Sequence, residues 1–352
     1  MKILRAYIRI PPVPGGMETH IQQLSIEQRE LGHEVCIAFN QGENTSLADI
    51  QIFPNFDLVK YLKAPLYFIV FKIGLIYKLI RNRNKYEVIH LHGDWSSFIF
   101  APILKRLVSA KQVVFTFHGV VNERLAHRII LPFALRFSDV VFFTGFESYS
   151  KLKDKCHAVF QPSGVRELFY QPISAARITN QVLTVAVLRA KKNIETVLAI
   201  AKLLPHYSFV IAGDGDQREL LQGQLDEMQL QNVRFVGAKN AEEVRQLMHK
   251  SSVFLYASLW EGTPTAIMEA MACGLPVVSS NAGGVESIIK DDINGFVIRN
   301  DYTNALAYAD ALQKIIGKEL LESMSSANQL QAEKFKWQYV ANRITSIMKK
   351  EN

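Results

Sequence analysis

Two glutamates, Glu261 and Glu269, stand eight residues apart in Glu261-Gly-Thr-Pro-Thr-Ala-Ile-Met-Glu269-Ala-Met-Ala-Cys-Gly-Leu-Pro. Carboxylates accept hydroxyl protons, and this spacing puts both near one face of a helix start, slightly more than two turns apart. Glu261 would lie in the loop before the helix and Glu269 on its second turn. Gly262 lets backbone approach a ligand closely, and Pro264 suits a first helical turn. The free amides at such a helix start make an anion site. An anion cradle flanked by two hydroxyl-binding acids suits a nucleotide sugar. Glutamates so spaced are also common on solvated helix faces; the glycine, the proline and the block after Glu269 favour the ligand reading.

Other candidates follow apolar runs. His118-Gly119 closes one such run, Lys192-Asn193 opens a helical pattern, and Gly15-Gly16-Met17-Glu18 links a first strand to a first helix. Each has a plainer reading: a buried histidine, a surface lysine, a simple turn. Gly213-Asp214-Gly215 lacks the third glycine of a dinucleotide fingerprint, since Arg218 stands there, and reads as a tight turn that could line a nucleotide pocket. Asp214 and Asp216 could hold a metal, but in a turn after a strand they fit helix capping better. His90 and His92 point the same way from one strand. A zinc pair would need further ligands, so packing or cleft-lining is favoured.

The elements that must position these groups alternate. Strand patterns fall at Ile3–Ile10, Val35–Phe39, Val88–Leu91, Val113–Phe117 and Val140–Phe143, then at Val182–Leu188, Ser208–Ala212, Val233–Val236, Val253–Ala257 and Val277–Ser279. Helical patterns fill the gaps, clearest at Met17–Leu31, Ile194–Leu204, Gln217–Met228, Ala241–Lys250 and Thr265–Ala272. Strand-helix alternation predicts parallel α/β sheets, whose ligands sit at the carboxyl ends of strands. The 352 residues suffice for two domains. A linker is expected in Gln161–Ala176, where Pro162, Gly164 and Pro172 interrupt the periodicity.

Composition narrows the setting. Hydrophobic residues make up 49% of the chain, which predicts a globular protein. Three scattered cysteines, Cys36, Cys156 and Cys273, suit a reduced cytoplasmic compartment. No secretory pattern or membrane-spanning run is read. The net charge of +7 lies wholly in residues 1–170, with 21 basic against 14 acidic residues, leaving 19 of each beyond. No acid occurs between Asp57 and Glu87, where Lys60, Lys63, Lys72, Lys78, Arg81, Arg83 and Lys85 interleave with aromatics. The segment is too apolar for a nucleic-acid groove. It predicts docking of Lys60–Lys85 on an anionic membrane, with aromatics and leucines facing one way and lysines another; a core helix with a basic edge is the plainer alternative.

The ordered series Gly15-Gly16-Met-Glu18, Thr116-Phe-His118-Gly119, Lys192-Asn193, Gly213-Asp-Gly215, Leu-Trp-Glu261-Gly, Glu269-Ala-Met-Ala-Cys-Gly-Leu-Pro, Gly283-Gly284-Val-Glu286 and Asn294-Gly295 resembles the retaining glycosyltransferases of family 4. The resemblance covers nearly the whole chain and implies a GT-B fold: two facing Rossmann-like, doubly wound parallel-sheet domains with a cleft between them. The expected domains are 1–165, joined by a C-terminal helix at 335–352, and 175–334. The implied reaction moves a sugar from a nucleoside-diphosphate sugar to a hydroxyl of a glycan or lipid-linked glycan, with retention and without metal or cofactor. Bacterial surface polysaccharide or lipopolysaccharide synthesis on the inner face of the plasma membrane is the expected setting.

By the same resemblance His118 and Glu261 would serve the transferring sugar. Gly16, Lys192, Gly213, Gly262, Thr263, Pro264, Thr265 and Glu269 would hold the donor. Glu18, His92 and Asp94 would face the acceptor. Many members carry Gly-Arg where this chain has Ala186-Val187, so either Arg189 substitutes for a diphosphate-binding arginine or the site relies on Lys192 and helix amides. The usual Asn-Gly-Val-Asp of the linker is Ser163-Gly164-Val165-Arg166 here. A sugar-nucleotide epimerase of this architecture and a catalytically silent partner subunit are the rival readings.

Overall fold

The computed structural model describes the chain except residues 14, 55, 63–65, 94, 120, 122–125, 174–175, 263, 318–319 and 351–352. The expected site residues Asp94 and Thr263, and Lys63 of the basic stretch, lie outside the described residues. The chain divides into two units, Met1–Gly164 with Trp337–Asn352, and Val165–Lys336.

The N-terminal unit is built on seven strands: β1 (Lys2–Ala6), β2 (Glu34–Phe39), β3 (Ile50–Gln51), β4 (Val88–Gly93), β5 (Gln112–Phe117), β6 (Val140–Phe143) and β7 (Ala158–Phe160). They pair in parallel in the order β3-β2-β1-β4-β5-β6-β7. The second unit has six: β8 (Gln181–Val185), β9 (Ser208–Ala212), β10 (Val233–Gly237), β11 (Val253–Tyr256), β12 (Val277–Ser280) and β13 (Gly295–Ile298). Their order is β10-β9-β8-β11-β12-β13, again all parallel. Both sheets reverse direction of growth beside their first strand, between β1 and β4 and between β8 and β11. Such a switch point leaves a crevice at the carboxyl ends of the strands, because the helices that follow turn to opposite faces.

Strand alternation feeds a core on each face of each sheet. Phe254 and Tyr256 of β11 pack with Ile267, Met268 and Met271, whereas Val253 and Leu255 pack with Ile194, Val197 and Leu312. In the N-terminal unit, Phe71, Leu75 and Leu79 pack with Phe98, Leu104 and Phe115 on one face. On the other, Trp337, Val340, Ile344 and Met348 of the C-terminal helix (Trp337–Lys350) pack with Ile3, Val88 and Val114.

Several sequence expectations need correction. The first strand stops at Ala6 instead of reaching Ile10: Tyr7 N still bonds Ala38 O of β2 at 3.1 Å, but Ile8 and Ile10 bond the loop beyond β2 (Asn40 N to Ile8 O 2.9 Å, Ile10 N to Gln41 O 2.9 Å), and Pro11 and Pro12 follow. β8 ends at Val185, short of Leu188. Strands β3, β7 and β13 lie outside the expected set, being only two, three and four residues long. The basic helix, Leu66–Asn82, does not sort as expected either. Phe71, Leu75 and Leu79 face the core, and Lys72 goes in with them at 1% exposure, its Nζ without a hydrogen bond. Burial pulls the Lys72 ammonium down to about 7. The outward stripe is apolar: Leu66, Ile69, Ile73, Tyr77 and Ile80. Among the described residues no helix is long and apolar enough to cross a membrane.

Candidate active site

At the switch point of the second unit, the loop after β8 carries Lys192 and the loop after β11 carries Glu261. A single 3-10 turn (Ala190–Lys192) ends at Asn193, whose left-handed backbone (φ 52°) reverses the chain into the helix Ile194–Leu203. Asn193 Nδ2 donates to Ala257 O at 3.1 Å, and Ser258 Oγ lies 3.0 Å from Lys191 O. These bonds lock the two loops together, and Lys192 Nζ then donates to a Glu261 carboxylate oxygen and, at 2.6 Å, to Tyr256 Oη. The same Glu261 oxygen accepts from Ser258 Oγ at 2.7 Å and Tyr256 Oη at 3.0 Å.

Both charges are largely sequestered, with side-chain exposures of 13% for Lys192 and 9% for Glu261. Burial pulls Lys192 below its ordinary range, partly offset by Glu261. Burial pushes the Glu261 carboxyl up, but bonds from Lys192 and Ser258 outweigh it and leave it below the usual carboxylate range. Burial drives the Tyr256 hydroxyl well above its usual range, so it stays a neutral donor.

The helix Thr265–Ala272 begins at Pro264, which is the cap residue and not, as the sequence suggested, part of the first turn. Pro264 O accepts from Ile267 N at 3.0 Å. Glu269 falls on the second turn, as its spacing predicts. Arg166 Nη2 stands 3.6 Å from its carboxylate. Burial raises the Glu269 carboxyl to about 7 against the pull of Arg166.

Gly213 follows β9 at φ +145°, and a Cβ there would lie 1.8 Å from Ala186 O, so only glycine allows the two loops this approach. Val185, Ala186, Val187, Gly213, Asp214, Ala238 and Lys239 line a cavity of about 260 Å³ at the carboxyl ends of β8, β9 and β10. Arg189 is exposed in the loop before Lys192. Asp214 does not cap the next helix as expected: its carboxylate accepts from Gly215 N at 2.8 Å, and the helix Arg218–Glu227 has Gln217 at its cap with no side-chain bond.

At the switch point of the N-terminal unit, Gly16 opens the first helix (Gly16–Glu30), and Glu18 Oε1 pairs with Arg9 Nε at 3.2 Å. His92 is the last residue but one of β4 and His118 follows β5; His92 Nδ1 lies 3.2 Å from His118 Nε2. His90 packs beside His92 with ring centres 4.2 Å apart, and its Nε2 lies 2.7 Å from Thr116 Oγ1. Arg5, fully buried on β1, reaches His90 Nδ1 at 3.1 Å and Gln28 Oε1 at 2.6 Å. Burial lowers His20, His90 and His92 well below the ordinary imidazole range, with Arg5 adding to the effect, and lowers His118 to about 3. All four rings are therefore neutral near pH 7. One ring nitrogen each from His20, His92 and His118 lies within 4.8 Å of the others, so the three have the makings of a metal set. The charge acting on this cluster is the Arg5 guanidinium, which opposes a dication.

Sequence reasoning missed Tyr256, Ser258, Arg166 and His20. Tyr256 and Ser258 flank the end of β11, a position that could have flagged them; Arg166 and His20 meet their partners only across long chain separations.

Comparison with known proteins agrees with this construction. The family described as Glycosyltransferase Family 4 matches residues 14–157, and the one described as Glycosyl transferases group 1 matches residues 169–335. The chain belongs to the family 4 glycosyltransferases and has the GT-B fold. It is 27% identical to the phosphatidylinositol N-acetylglucosaminyltransferase gpi3 subunit of Schizosaccharomyces pombe, over 81% of this chain and 67% of the relative. It is 24% identical to the UDP-Gal:alpha-D-GlcNAc-diphosphoundecaprenol alpha-1,3-galactosyltransferase of Escherichia coli, over 92% and 90% respectively. The fold matches that of Anabaena HepE in complex with UDP and glucose, with a TM-score of 0.76 at 17% identity, over 99% of this chain and all of the other.

Proposed function

We propose that the protein transfers a hexose or N-acetylhexosamine from a UDP-sugar to a hydroxyl of a lipid-linked glycan, with retention of configuration and without a metal. The observation that carries this reading is the Lys192–Glu261 pair, held at the switch point by Tyr256 and Ser258. A diphosphate entering there exchanges one anion for another beside Lys192, and frees the Glu261 carboxylate to take a sugar hydroxyl. Glu269 takes the ribose hydroxyls, and the amides of Gly262 and Thr265 bind phosphate oxygens. The cavity beside Gly213 takes the base. Uracil as that base is supported by the UDP named for two of the similar proteins.

In the step itself the C1–O bond to the diphosphate breaks with its electron pair going to the phosphate oxygen. The acceptor oxygen bonds C1 on the same face, and its proton passes to the departing phosphate. Fixed positive ends, Lys192 and helix amides, stabilise the charge that accumulates on the leaving group. His118, neutral, orients the sugar by a hydrogen bond. Glu18 and His92, with Asp94, serve the acceptor.

The acceptor's lipid is supported by the names of the lipid-modifying relatives and by the apolar stripe Ile69, Ile73, Tyr77 and Ile80. The stripe runs into the exposed Arg81, Arg83 and Lys85, and Lys78 and Arg81 line a cavity of about 460 Å³ beside it. That surface docks on anionic lipid at the inner face of a bacterial plasma membrane, where surface glycans are assembled.

The test is a melting-temperature screen with UDP, GDP and their sugars, followed by UDP release with and without undecaprenyl-diphosphate-linked N-acetylglucosamine. A rise with UDP-sugars and acceptor-dependent release in wild type but not in Lys192→Ala is expected. Epimerised donor formed without acceptor, or donor binding with no release from any acceptor, overturns the proposal in favour of the epimerase or the silent subunit.

A further inference from the structure

His20 sits on the first helix, one turn past Gly16, and is 1% exposed. Its ring stands edge-on to His118, with centres 4.7 Å apart and planes at 84°, and edge-on to Trp337 at 5.2 Å and 78°. Its Nδ1 lies 2.9 Å from Ser163 Oγ. Ser163 and Trp337 flank the two points where the chain leaves this unit after Gly164 and returns to it. The returning segment is pressed against the departing one: a Cβ on Gly164 would lie 2.3 Å from Trp337 Cδ2. Arg343 Nη1 donates to Gln161 Oε1 at 2.6 Å, and Gln28 Nε2 donates to Thr345 Oγ1 at 3.0 Å.

We infer that His20 is a positioning residue, which fixes the orientation of His118 and takes its own place from Ser163 and Trp337 at the chain crossings. The bond between His118 Nε2 and His92 Nδ1 fixes one point of the His118 ring but leaves it free to pivot about that point. The edge of His20, wedged between His118 and Trp337, removes the pivot. Aromatic edge-to-face contacts have a defined geometry, which an aliphatic side chain of similar size lacks. The ring is neutral and its Nε2 has no partner, so packing and the single bond to Ser163 set its place. A change in the course of the chain at either crossing therefore reaches His118 through one ring. The inference rests on the assignment of His118 to the sugar.

The experiment compares His20→Phe, which keeps a flat ring edge, with His20→Leu, which keeps apolar bulk alone, and includes His118→Ala as control. UDP release is measured with whichever of UDP-glucose, UDP-galactose and UDP-N-acetylglucosamine gives the highest wild-type rate, with melting curves to verify folding. The expected result is a kcat for His20→Leu about tenfold below wild type with donor KM within about threefold, as positioned contacts act on turnover. His20→Phe should stay within about threefold of wild type. Equal kcat in the two variants overturns the inference, whatever the level. If His118→Ala turns over at the wild-type rate, the assignment of His118 fails instead, and the two failures are distinct. Should the His20 variants not fold, Trp337→Phe and Trp337→Leu carry the same comparison one ring further out, and equal kcat in that pair overturns the inference in the same way.

Discussion

Lys192 Nζ and a carboxylate oxygen of Glu261 are bonded to each other across the ends of β8 and β11, with Tyr256 and Ser258 donating to the same carboxylate. The family resemblance assigns these two residues to different parts of a donor. Bonded together they neutralise each other, so the pocket holds its positive charge without leaving it bare. Binding a diphosphate is then an exchange of partners for Lys192, and its cost is the separation of a buried pair.

That arrangement sets the stability of the variants. Removing one member of a buried pair leaves the other charge uncompensated and costs about 3–5 kcal/mol. Lys192→Ala and Glu261→Ala should each lower the unfolding free energy by that order, besides abolishing turnover. The double substitution Lys192→Ala with Glu261→Ala should lose less than the sum of the two single losses. Additive losses in chemical denaturation would show that the pair does not couple.

Glu269 carries the pH dependence of the site. Its folded value of about 7 lies above the ordinary 4.5, so between those values the folded state holds a proton that the unfolded state has released. Stability from this group falls as pH rises through that window, by at most about 3 kcal/mol. In the proposed ribose role the carboxylate form accepts two hydroxyls, so donor affinity should fall as pH drops below 7. Glu269→Gln should therefore melt higher than wild type at pH 8 while binding UDP at least tenfold more weakly, measured by calorimetry. An unchanged melting point together with unchanged UDP affinity would contradict both halves.

Most of the sheet framework was legible because parallel strands buried on both faces read as short apolar runs bounded by turns. Ser208–Ala212, Val140–Phe143, Ala241–Lys250 and Thr265–Ala272 fall where the pattern put them. The edge strand β3, two residues long, carries no period to read. Side-chain partners were harder. Alternation says which face a residue takes, not what it meets, so Glu269's Arg166, 103 positions earlier, and His20's Ser163, 143 positions later, were out of reach. Lys72 shows the opposite failure: its charge suggested the surface, but its place between Phe71 and Leu75 on a core-facing stripe took it inside.

Arg189 stands exposed two residues beyond Val187, where the family resemblance implies an arginine. An exposed side chain of this kind adds little to stability, so any effect of its loss belongs to the ligand. If it takes over a diphosphate contact, Arg189→Ala should raise donor KM about tenfold, the order of one charge-assisted hydrogen bond, with melting unchanged. A KM equal to that of wild type would leave Lys192 and the helix amides as the whole phosphate site.

The outward stripe of the basic helix gives the membrane proposal a sharp test. Ile73, Tyr77 and Ile80 are 56%, 61% and 56% exposed, so replacing all three by serine removes apolar surface from solvent contact and leaves the core intact. Each side chain that enters the lipid interface contributes about 1 kcal/mol, and the loss of three should weaken binding to vesicles of 70:30 phosphatidylcholine and phosphatidylglycerol by about a hundredfold in co-sedimentation. Arg81→Glu with Arg83→Glu should weaken it further at low salt, and 0.5 M NaCl should erase that second difference, since exposed charges are screened within a few ångströms there. Lys72 is left untouched because its ammonium is buried; Lys72→Met should instead raise the melting temperature at pH 6, where holding a proton on that buried amine costs the folded state most. Binding of the triple serine variant at the wild-type level would remove this helix from the membrane surface.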